Sequence, residues 1–178
     1  HPHPLFGGMN TNKVAHSLAR TFVALGYCAF RPNFRGVGLS EGTHDEGRGE
    51  TEDMLAVLEE ARRRCGHLPV ALAGFSFGGF VQTRVAKRLT EAGHPAQRLV
   101  LVGTAAGFVE GTRSYDTEAV PNDTIVIHGS ADETVPLANV LKWAEPLELP
   151  VSVVPGADHF FHRRLHVIRE IITRSWRH

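Results

Sequence analysis

The sequence predicts an α/β fold in which a mostly parallel sheet is covered by helices on both faces. Short apolar runs alternate with longer amphipathic stretches, which is the pattern of strands joined by crossover helices. The run Leu68–Phe75 is apolar enough to predict a strand buried on both faces, as in a parallel sheet. Because 42% of the 178 residues are hydrophobic, the chain can bury a core, and we expect one domain over residues 1–178.

The first half of the chain predicts a helix, a strand, a helix and a strand. Their boundaries are Asn12–Leu25, Tyr27–Phe34, Glu50–Cys65 and Leu68–Phe75. In the first helix, Val14, Leu18 and Phe22 recur at helical spacing, and Gly26 marks the end. The second helix carries acidic residues in its first turn, where they interact favourably with the helix dipole.

The second half continues the alternation of helices and strands. The elements are a helix at Phe77–Ala92, strands at Arg98–Val102 and Thr124–His128, a helix at Leu137–Leu147, a strand at Val151–Val154 and a helix at Phe161–Trp176. The connection from Gly103 to Asp123 has only about twenty residues, and its glycines and Pro121 favour a loop. We therefore expect no cap domain above the sheet.

The segment Gly74-Phe75-Ser76-Phe77-Gly78 joins the buried strand directly to a helix. A turn that sharp needs glycine on both sides of the central residue, because there is no room for a Cβ atom. It points the Ser76 hydroxyl above the sheet, near the positive end of the next helix. The spacing and its context predict that Ser76 is a catalytic nucleophile.

A serine nucleophile needs a base, and the base needs an acid that orients it. Asp132 and His159 follow two later strands in the order Ser, acid, His, so their side chains can converge on Ser76. Glu133 is an alternative acid, and His162 is an alternative base within the start of the last helix. Asp158 is too close in sequence to His159 to be favoured as its partner, and His128 is interpreted as a packing residue.

The oxyanion of an acyl-transfer reaction needs two backbone N–H donors. Phe77 supplies one, because it directly follows the nucleophile. The second is expected in the opening segment, where prolines are excluded for lack of an N–H; His3 is favoured over Leu5. An apolar substrate pocket is predicted from Leu5, Phe75, Phe108 and Phe160, with core packing as the alternative for the phenylalanines.

Composition argues against several classes of partner. Nineteen basic residues balance nineteen acidic ones, so no overall field attracts nucleic acid or an anionic membrane. No apolar run is long enough to cross a bilayer, and two cysteines are typical of a cytoplasmic protein.

His1-x-His3 lacks further metal ligands, and the loop at Gly36 and Gly38 lacks the third glycine of a nucleotide fingerprint. We expect no metal and no cofactor.

Several segments in combination resemble the α/β-hydrolase superfamily, and more narrowly its small, lidless bacterial serine hydrolases related to dienelactone hydrolase. The matching segments are His1–Gly8 with Asn12-Lys13-Val14, Phe30–Ser40, Gly49-Glu50 with Asp53, Gly74–Gly79, Gly129–Glu133 and Asp158–His162. The resemblance implies that Ser76 is the nucleophile, His159 the base and Asp132 the orienting acid. Dienelactone hydrolase itself uses a cysteine nucleophile, so Ser76 argues against that particular substrate.

The resemblance also implies that strands 1–3 of the family's sheet are missing, because the His-Pro opening follows strand 3 in the family. That strand would lie between Tyr27–Phe34 and Leu68–Phe75. One hypothesis is that the sequence is an N-terminally truncated piece of a longer product. The alternative is that Tyr27–Phe34 pairs directly with Leu68–Phe75, since unpaired strand edges leave backbone groups unsatisfied.

The predicted function is hydrolysis of a small carboxylic ester through an acyl-enzyme intermediate. Thioester or amide hydrolysis would use the same three residues. A non-catalytic alternative is a truncated remnant that acts in binding or dimerisation. The sequence leaves a homodimer open.

Overall fold

The computed structural model describes residues 1–109 and 113–176. The helices within these ranges are α1 (Lys13–Ala24), α2 (Arg48–Cys65), α3 (Phe77–Glu91), α4 (Leu137–Ala144) and α5 (Leu165–Ser175). The strands are β1 (Ala71–Phe75), β2 (Arg98–Val102), β3 (Gly107–Phe108), β4 (Ser114–Tyr115), β5 (Ile125–Gly129) and β6 (Val151–Val154). Short 3-10 turns occupy Pro4–Phe6 and Glu145–Leu147.

Four of these strands form a parallel sheet in the order β1-β2-β5-β6. The pairs Phe75–Val102 and Val102–Ile127 set the register of the first three strands, and Gly129 pairs with Val154 at the last. The carboxyl ends of β1, β5 and β6 therefore lie along one edge of the sheet, where the loops that follow them meet. The predicted α/β class with a parallel sheet is confirmed.

Helices cover both faces of the sheet, as the prediction required. On one face, α1 and α5 contribute buried side chains to a core beneath β2 and β5: Val14, Leu18, Phe22, Ile168 and Ile172. On the other face, α3 and α4 contribute Phe80, Val81, Val85, Leu89 and Val140. Burial of these apolar surfaces is the main force that holds the helices against the sheet.

Two side chains fix the starts of the first two helices. Asn12 Oδ1 accepts hydrogen bonds from the N–H groups of Val14 and Ala15, at 2.9 and 3.3 Å. The buried carboxylate of Glu50 accepts from the N–H groups of Asp45 and Gly47, both at 2.9 Å. In both cases the side chain accepts from backbone N–H groups near the start of a helix, where acceptors within the helix are lacking.

The segment Tyr27–Phe34 forms no strand, so that prediction is wrong. Among the described strands none lies beside it, and a strand requires a neighbour to accept its backbone hydrogen bonds. It is held instead by Asn10, which donates to Arg31 O at 2.9 Å, and by His1, whose Nε2 accepts from Phe34 N at 2.9 Å. The alternative in which this segment pairs directly with β1 is also wrong.

An apolar groove of about 530 Å³ lies between Tyr27–Phe34 and the free edge of β1. Its walls include Leu18 and Phe22 from α1, Leu58 from α2, and Leu72 from β1. Gly74 and Phe75 also line this groove, but neither Ser76 nor His159 does.

The connection between β2 and β5 carries the small antiparallel hairpin β3–β4, and no helical cap occurs in the part of it that the structure describes. The prediction of a fold without a cap is confirmed. The last helix begins at Leu165, later than predicted, because Phe161 and Arg163 adopt φ angles of 51° and 61° that a helix does not allow.

None of the helices within the described ranges is long and apolar enough to span a lipid bilayer.

Candidate active site

Ser76 occupies a strained turn between the end of β1 and the start of α3. Its φ of 55° and ψ of −122° lie in a region that residues with a side chain rarely adopt. Ser76 N donates to Val102 O at 3.0 Å, while Ser76 O accepts from the N–H groups of Gly79 and Phe80. Strand and helix therefore hold the strained backbone from both sides and leave the side-chain hydroxyl to other partners.

His159 follows β6 and reaches back to the hydroxyl. Its Nε2 lies 3.0 Å from Ser76 Oγ, although 83 residues separate the two in sequence. The ring packs against Phe75 at a centroid distance of 4.9 Å and against Phe160 at 5.1 Å, and the residue is buried. These contacts hold the imidazole in line with the hydroxyl.

Asp132 lies on the loop after β5 and contacts the far side of the imidazole. Its Oδ2 is 2.7 Å from His159 Nδ1, and its Oδ1 accepts from the N–H groups of Thr134 and Val135 at 2.9 and 2.7 Å. The carboxylate is buried and hydrogen-bonded through both oxygens. The predicted Ser76, His159 and Asp132 thus form one continuous chain of polar contacts.

The alternative acid and base lie outside this chain of contacts. Glu133 is exposed to solvent. His162 is also exposed, and its Nδ1 pairs with Asp158 Oδ2 at 2.5 Å. The hydrogen bond from His162 lowers the pKa of Asp158, and burial opposes this shift. Proximity and burial therefore separate Asp132 and His159 from their neighbours in sequence.

The opening loop, which carries His3 and Leu5, contacts the turn at Gly74–Gly78 (the elbow) through the rings of His3 and Phe77. The Leu5 N–H donates to His3 Nδ1 at 3.2 Å, so it is already engaged. His3 O accepts from Phe6 and Gly8, which fixes the backbone of the loop. Phe77 is the first residue of α3, so its N–H has no acceptor within the helix.

The His3 ring is packed among aromatic neighbours. Its centroid lies 4.6 Å from that of His44, 4.9 Å from Phe77 and 5.0 Å from Phe6. Burial, reinforced by the nearby His44 and Arg113 and opposed by Glu50, lowers the pKa of His3 to about 4. The neutral ring is the form in which Nδ1 can accept the Leu5 N–H.

The predicted pocket residues divide into two groups. Leu5, Phe108 and Phe160 are 69%, 60% and 43% exposed. Phe75 is fully buried and packs under His159, which agrees with the alternative of core packing. The strand that carries Phe75 turns its ring into the core, whereas the other three residues lie on loops or on the small hairpin.

Two residues of the site were missed by sequence reasoning. Phe6 is 67% exposed beside His3, and the guanidinium of Arg113 lies 4.3 Å from its ring centroid. His128, which was interpreted as a packing residue, has its Nε2 3.4 Å from Asp132 Oδ2. The spacing of His128 and Asp132 across a strand end was the signal that could have identified this contact.

The histidines of the opening segment have other partners. His1 Nε2 accepts from Phe34 N, and His3 Nδ1 accepts from Leu5 N. Across residues 1–109 and 113–176, no group of three or more His, Cys, Asp and Glu side chains is arranged to hold a metal ion.

Comparisons with known proteins identify relatives of this chain. The sequence profile of a family described as "alpha/beta hydrolase fold" matches residues 3–116. RP471, a protein of Rickettsia prowazekii (strain Madrid E) that is described as uncharacterized, is 33% identical over 175 residues, which are 90% of this chain and 69% of RP471. Lysophosphatidylserine lipase ABHD12 of Danio rerio is 32% identical over 113 residues; the match covers 62% of this chain and 29% of that protein.

Two solved structures are similar over almost the whole chain. XC6422 of Xanthomonas campestris, described as an a/b serine hydrolase without lid, superposes with a TM-score of 0.85 at 37% identity and covers 98% of this chain and 77% of its own. An alpha-beta serine hydrolase homologue from Coxiella burnetii gives a TM-score of 0.84 at 38% identity, with 99% and 82% covered.

Proposed function

The chain belongs to the alpha/beta hydrolase family, and we propose that it is a serine hydrolase that cleaves small carboxylic esters through an acyl-enzyme formed on Ser76. The observation that carries the proposal is the buried chain of contacts from Ser76 Oγ to His159 and from His159 to Asp132. The description of XC6422 as a serine hydrolase supports the reaction class.

In the first half of the proposed reaction, Ser76 Oγ attacks the ester carbonyl carbon while His159 Nε2 takes its proton. Asp132 accepts the Nδ1–H, which keeps the ring in the tautomer that leaves Nε2 free to act as base. The N–H groups of Phe77 and His3 would stabilise the oxyanion. The tetrahedral intermediate then collapses, and His159 returns the proton to the leaving alkoxide, so an alcohol departs.

In the second half, water attacks the acyl carbon with His159 as its base, and Ser76 leaves with the returned proton. The products are a carboxylic acid and the free enzyme, so atoms and protons balance over the cycle. Of the two donors proposed for the opening loop, we favour His3, because the Leu5 N–H already donates to the His3 ring. The strained backbone of Ser76 supports the nucleophilic role, since strain of this kind clusters at functional sites.

Exposed apolar side chains on the opening loop, on the hairpin and next to the base favour an apolar acyl group. Leu5 and Phe6 lie on the opening loop, Phe108 lies on the hairpin, and Phe160 is next to the base. Exposed aromatic residues around a polar centre are typical of ligand-binding surfaces. The similarity to a protein named a lysophosphatidylserine lipase makes longer acyl chains the second class to test.

A fluorophosphonate probe tests the proposal directly, because it reacts with activated serines. We expect labelling of the wild-type chain, none of Ser76→Ala, and unchanged labelling of Ser130→Ala. Ser130 is a matched control, since it also lies on a loop at the strand ends but its Oγ accepts from Gly156 N. Absence of labelling in protein that is folded by circular dichroism would reject the enzymatic proposal in favour of the binding or dimerisation role.

The substrate class needs a separate experiment. Matched p-nitrophenyl esters of increasing acyl length, the corresponding acyl-CoA thioesters and p-nitroanilides would be compared by kcat/KM. The proposal expects the short esters to be the best substrates, at least tenfold above the thioesters and anilides. A maximum at long acyl chains, or with thioesters or anilides, would reassign the substrate while leaving the nucleophile unchanged.

A further inference from the structure

His128 is fully buried at the end of β5 and lies against the acid of the site. Its Nε2 is 2.9 Å from Val135 O and 3.4 Å from Asp132 Oδ2. The residue has no surface accessible to solvent. A packing role alone would need only an apolar ring of similar volume, and the two polar contacts go beyond it.

The partners of His128 determine its tautomer. Val135 O can only accept a hydrogen bond, so Nε2 carries the hydrogen and donates it. Nδ1 is buried and has no hydrogen-bond partner among the described residues. Burial lowers the pKa of His128, more than Val135 O and Asp132 raise it, which agrees with a neutral ring.

The same nitrogen lies close to the Asp132 oxygen that contacts the base, although its hydrogen is donated to Val135 O. Asp132 Oδ1 is held by two backbone N–H groups, whereas Oδ2 faces His159 Nδ1 at 2.7 Å and His128 Nε2 at 3.4 Å. The hydrogen bond from His128 to Val135 O holds the turn whose Val135 N–H binds Asp132 Oδ1, and so restrains the carboxylate that faces His159. The partial positive charge of the His128 N–H, whose nitrogen lies 3.4 Å from Oδ2, also offsets part of the negative charge on that oxygen.

We propose that His128 is a positioning residue of the site: its Nε2–H binds Val135 O, which keeps the turn that carries Asp132 in line with His159, and its partial positive charge offsets part of the charge on Asp132 Oδ2. The inference rests on the proposed function, since it concerns the acid of the same site. The titratable groups that face His128 are Asp132, after β5, and His159, after β6.

Two substitutions separate positioning from packing. His128→Phe keeps a buried ring but removes the donor, whereas His128→Gln places an amide N–H near the original Nε2. We expect His128→Phe to lower kcat about tenfold with little change in KM, because the acid loses its alignment with the base. His128→Gln should recover most of the loss.

The pH profile of kcat/KM, measured over about pH 5 to 9, is the readout that packing would not change. Without the His128 donor, more negative charge on Asp132 faces His159 and stabilises its protonated form. The acidic limb of His128→Phe should therefore move to higher pH, whereas that of His128→Gln should stay near wild type. A lower Tm with unchanged kcat and an unchanged acidic limb would show that His128 only packs, and equal losses in both variants would also overturn the proposal.

A further matched pair keeps the test decisive if His128→Phe does not fold. His128→Asn is polar like His128→Gln, but its amide is too short to reach Asp132 and Val135. The proposal expects the lower kcat and the shifted acidic limb only for the Asn variant, and indistinguishable profiles would reject it. Labelling of wild-type Ser76 by the fluorophosphonate distinguishes failure of this inference from failure of the proposed function.

Discussion

A Cβ atom on Gly74 would lie 2.4 Å from the carbonyl oxygen of Gly78 and 2.6 Å from the Cα of Gly79. The end of β1 and the first turn of α3 are thus in direct backbone contact on either side of Ser76. This contact allows the chain to reverse within one residue, and it explains why Ser76 can hold a φ of 55°. Glycine is needed in the elbow because the backbone segments around Ser76 approach each other closely, as the Gly-x-Ser-x-Gly spacing predicts.

Gly74→Ala is expected to destabilise the fold and to abolish labelling of Ser76. The new methyl group meets backbone atoms, which cannot rotate away, so β1 and α3 must separate. We expect a loss of about 3 kcal/mol or more in the free energy of unfolding, measured by urea denaturation.

Gly93→Ala is the control for this prediction. Gly93 has a φ of 78°, and no described atom lies within 4 Å of its Cβ position, so the substitution adds backbone strain without a clash. It should cost about 1 kcal/mol and leave labelling intact. Equal costs at the two positions would contradict the close-contact explanation.

Asp132→Asn is expected to lower kcat by a factor on the order of 10³ to 10⁴ while the protein stays folded. The Asn carbonyl can still accept from Thr134 and Val135, but its NH₂ group then faces His159 Nδ1. His159 must turn to the other tautomer, in which Nε2 carries a hydrogen and no longer accepts the Ser76 proton. Steady-state kinetics with a p-nitrophenyl ester measures the effect.

Glu133→Gln is the matched control, because Glu133 is the neighbouring acid and is exposed. Its kcat should stay within about twofold of wild type. A larger loss for Glu133→Gln than for Asp132→Asn would exchange the roles of the two acids.

A second pair of variants tests the base. His159→Ala removes the contact to Ser76 Oγ and should lower kcat by on the order of 10³ or more. His162→Ala removes only an exposed pair with Asp158, so kcat should change less than about twofold and the free energy of unfolding by less than about 0.5 kcal/mol. If both variants retained activity, neither histidine would be the base.

The sequence contained enough information for the fold class and for the four strands of the parallel sheet, because these follow from apolar periodicity and glycine positions. It was insufficient for Tyr27–Phe34, since an apolar run becomes a strand only when another strand is present to pair with it. Local pattern could not show that Phe75 turns into the core while Phe6 turns outward. Such orientations depend on the twist of a strand and the path of a loop.

The candidate site, too, could be predicted only in part from the sequence. Strand-end placement selected Asp132 and His159 as candidates, yet only the loop conformation separates Asp132 from Glu133. His128 was interpreted as a packing residue because its strand position predicts burial. Its contact with Asp132 arises from the tight turn after β5, which brings residues four apart in sequence together. A buried polar ring beside a predicted catalytic loop is therefore a signal that periodicity alone does not provide.

The pH dependence of stability is the last prediction, and it concerns His3. Its pKa falls from the ordinary value of 6.5 to about 4 on folding, chiefly through burial. Between these values the unfolded chain binds more protons than the folded chain, so the stabilisation is complete above about pH 6.5 and is lost as the pH falls toward 4. The difference between these two pKa values corresponds to about 3.4 kcal/mol, and partial screening by solvent reduces it to about 2 kcal/mol. Burial lowers the pKa of His128 too, so that residue adds to the same slope.

His3→Asn should reduce this loss of stability in acid. The Asn side chain can still accept the Leu5 N–H but does not titrate, whereas a protonated His3 Nδ1 cannot accept it. Urea denaturation at about pH 7 and pH 4.5 measures the difference between the two chains. His16→Asn is the control, because His16 is exposed on α1, and it should keep the wild-type slope. A slope that is unchanged in His3→Asn would show that other groups cause the acid sensitivity and that the opening loop is not held by a neutral His3.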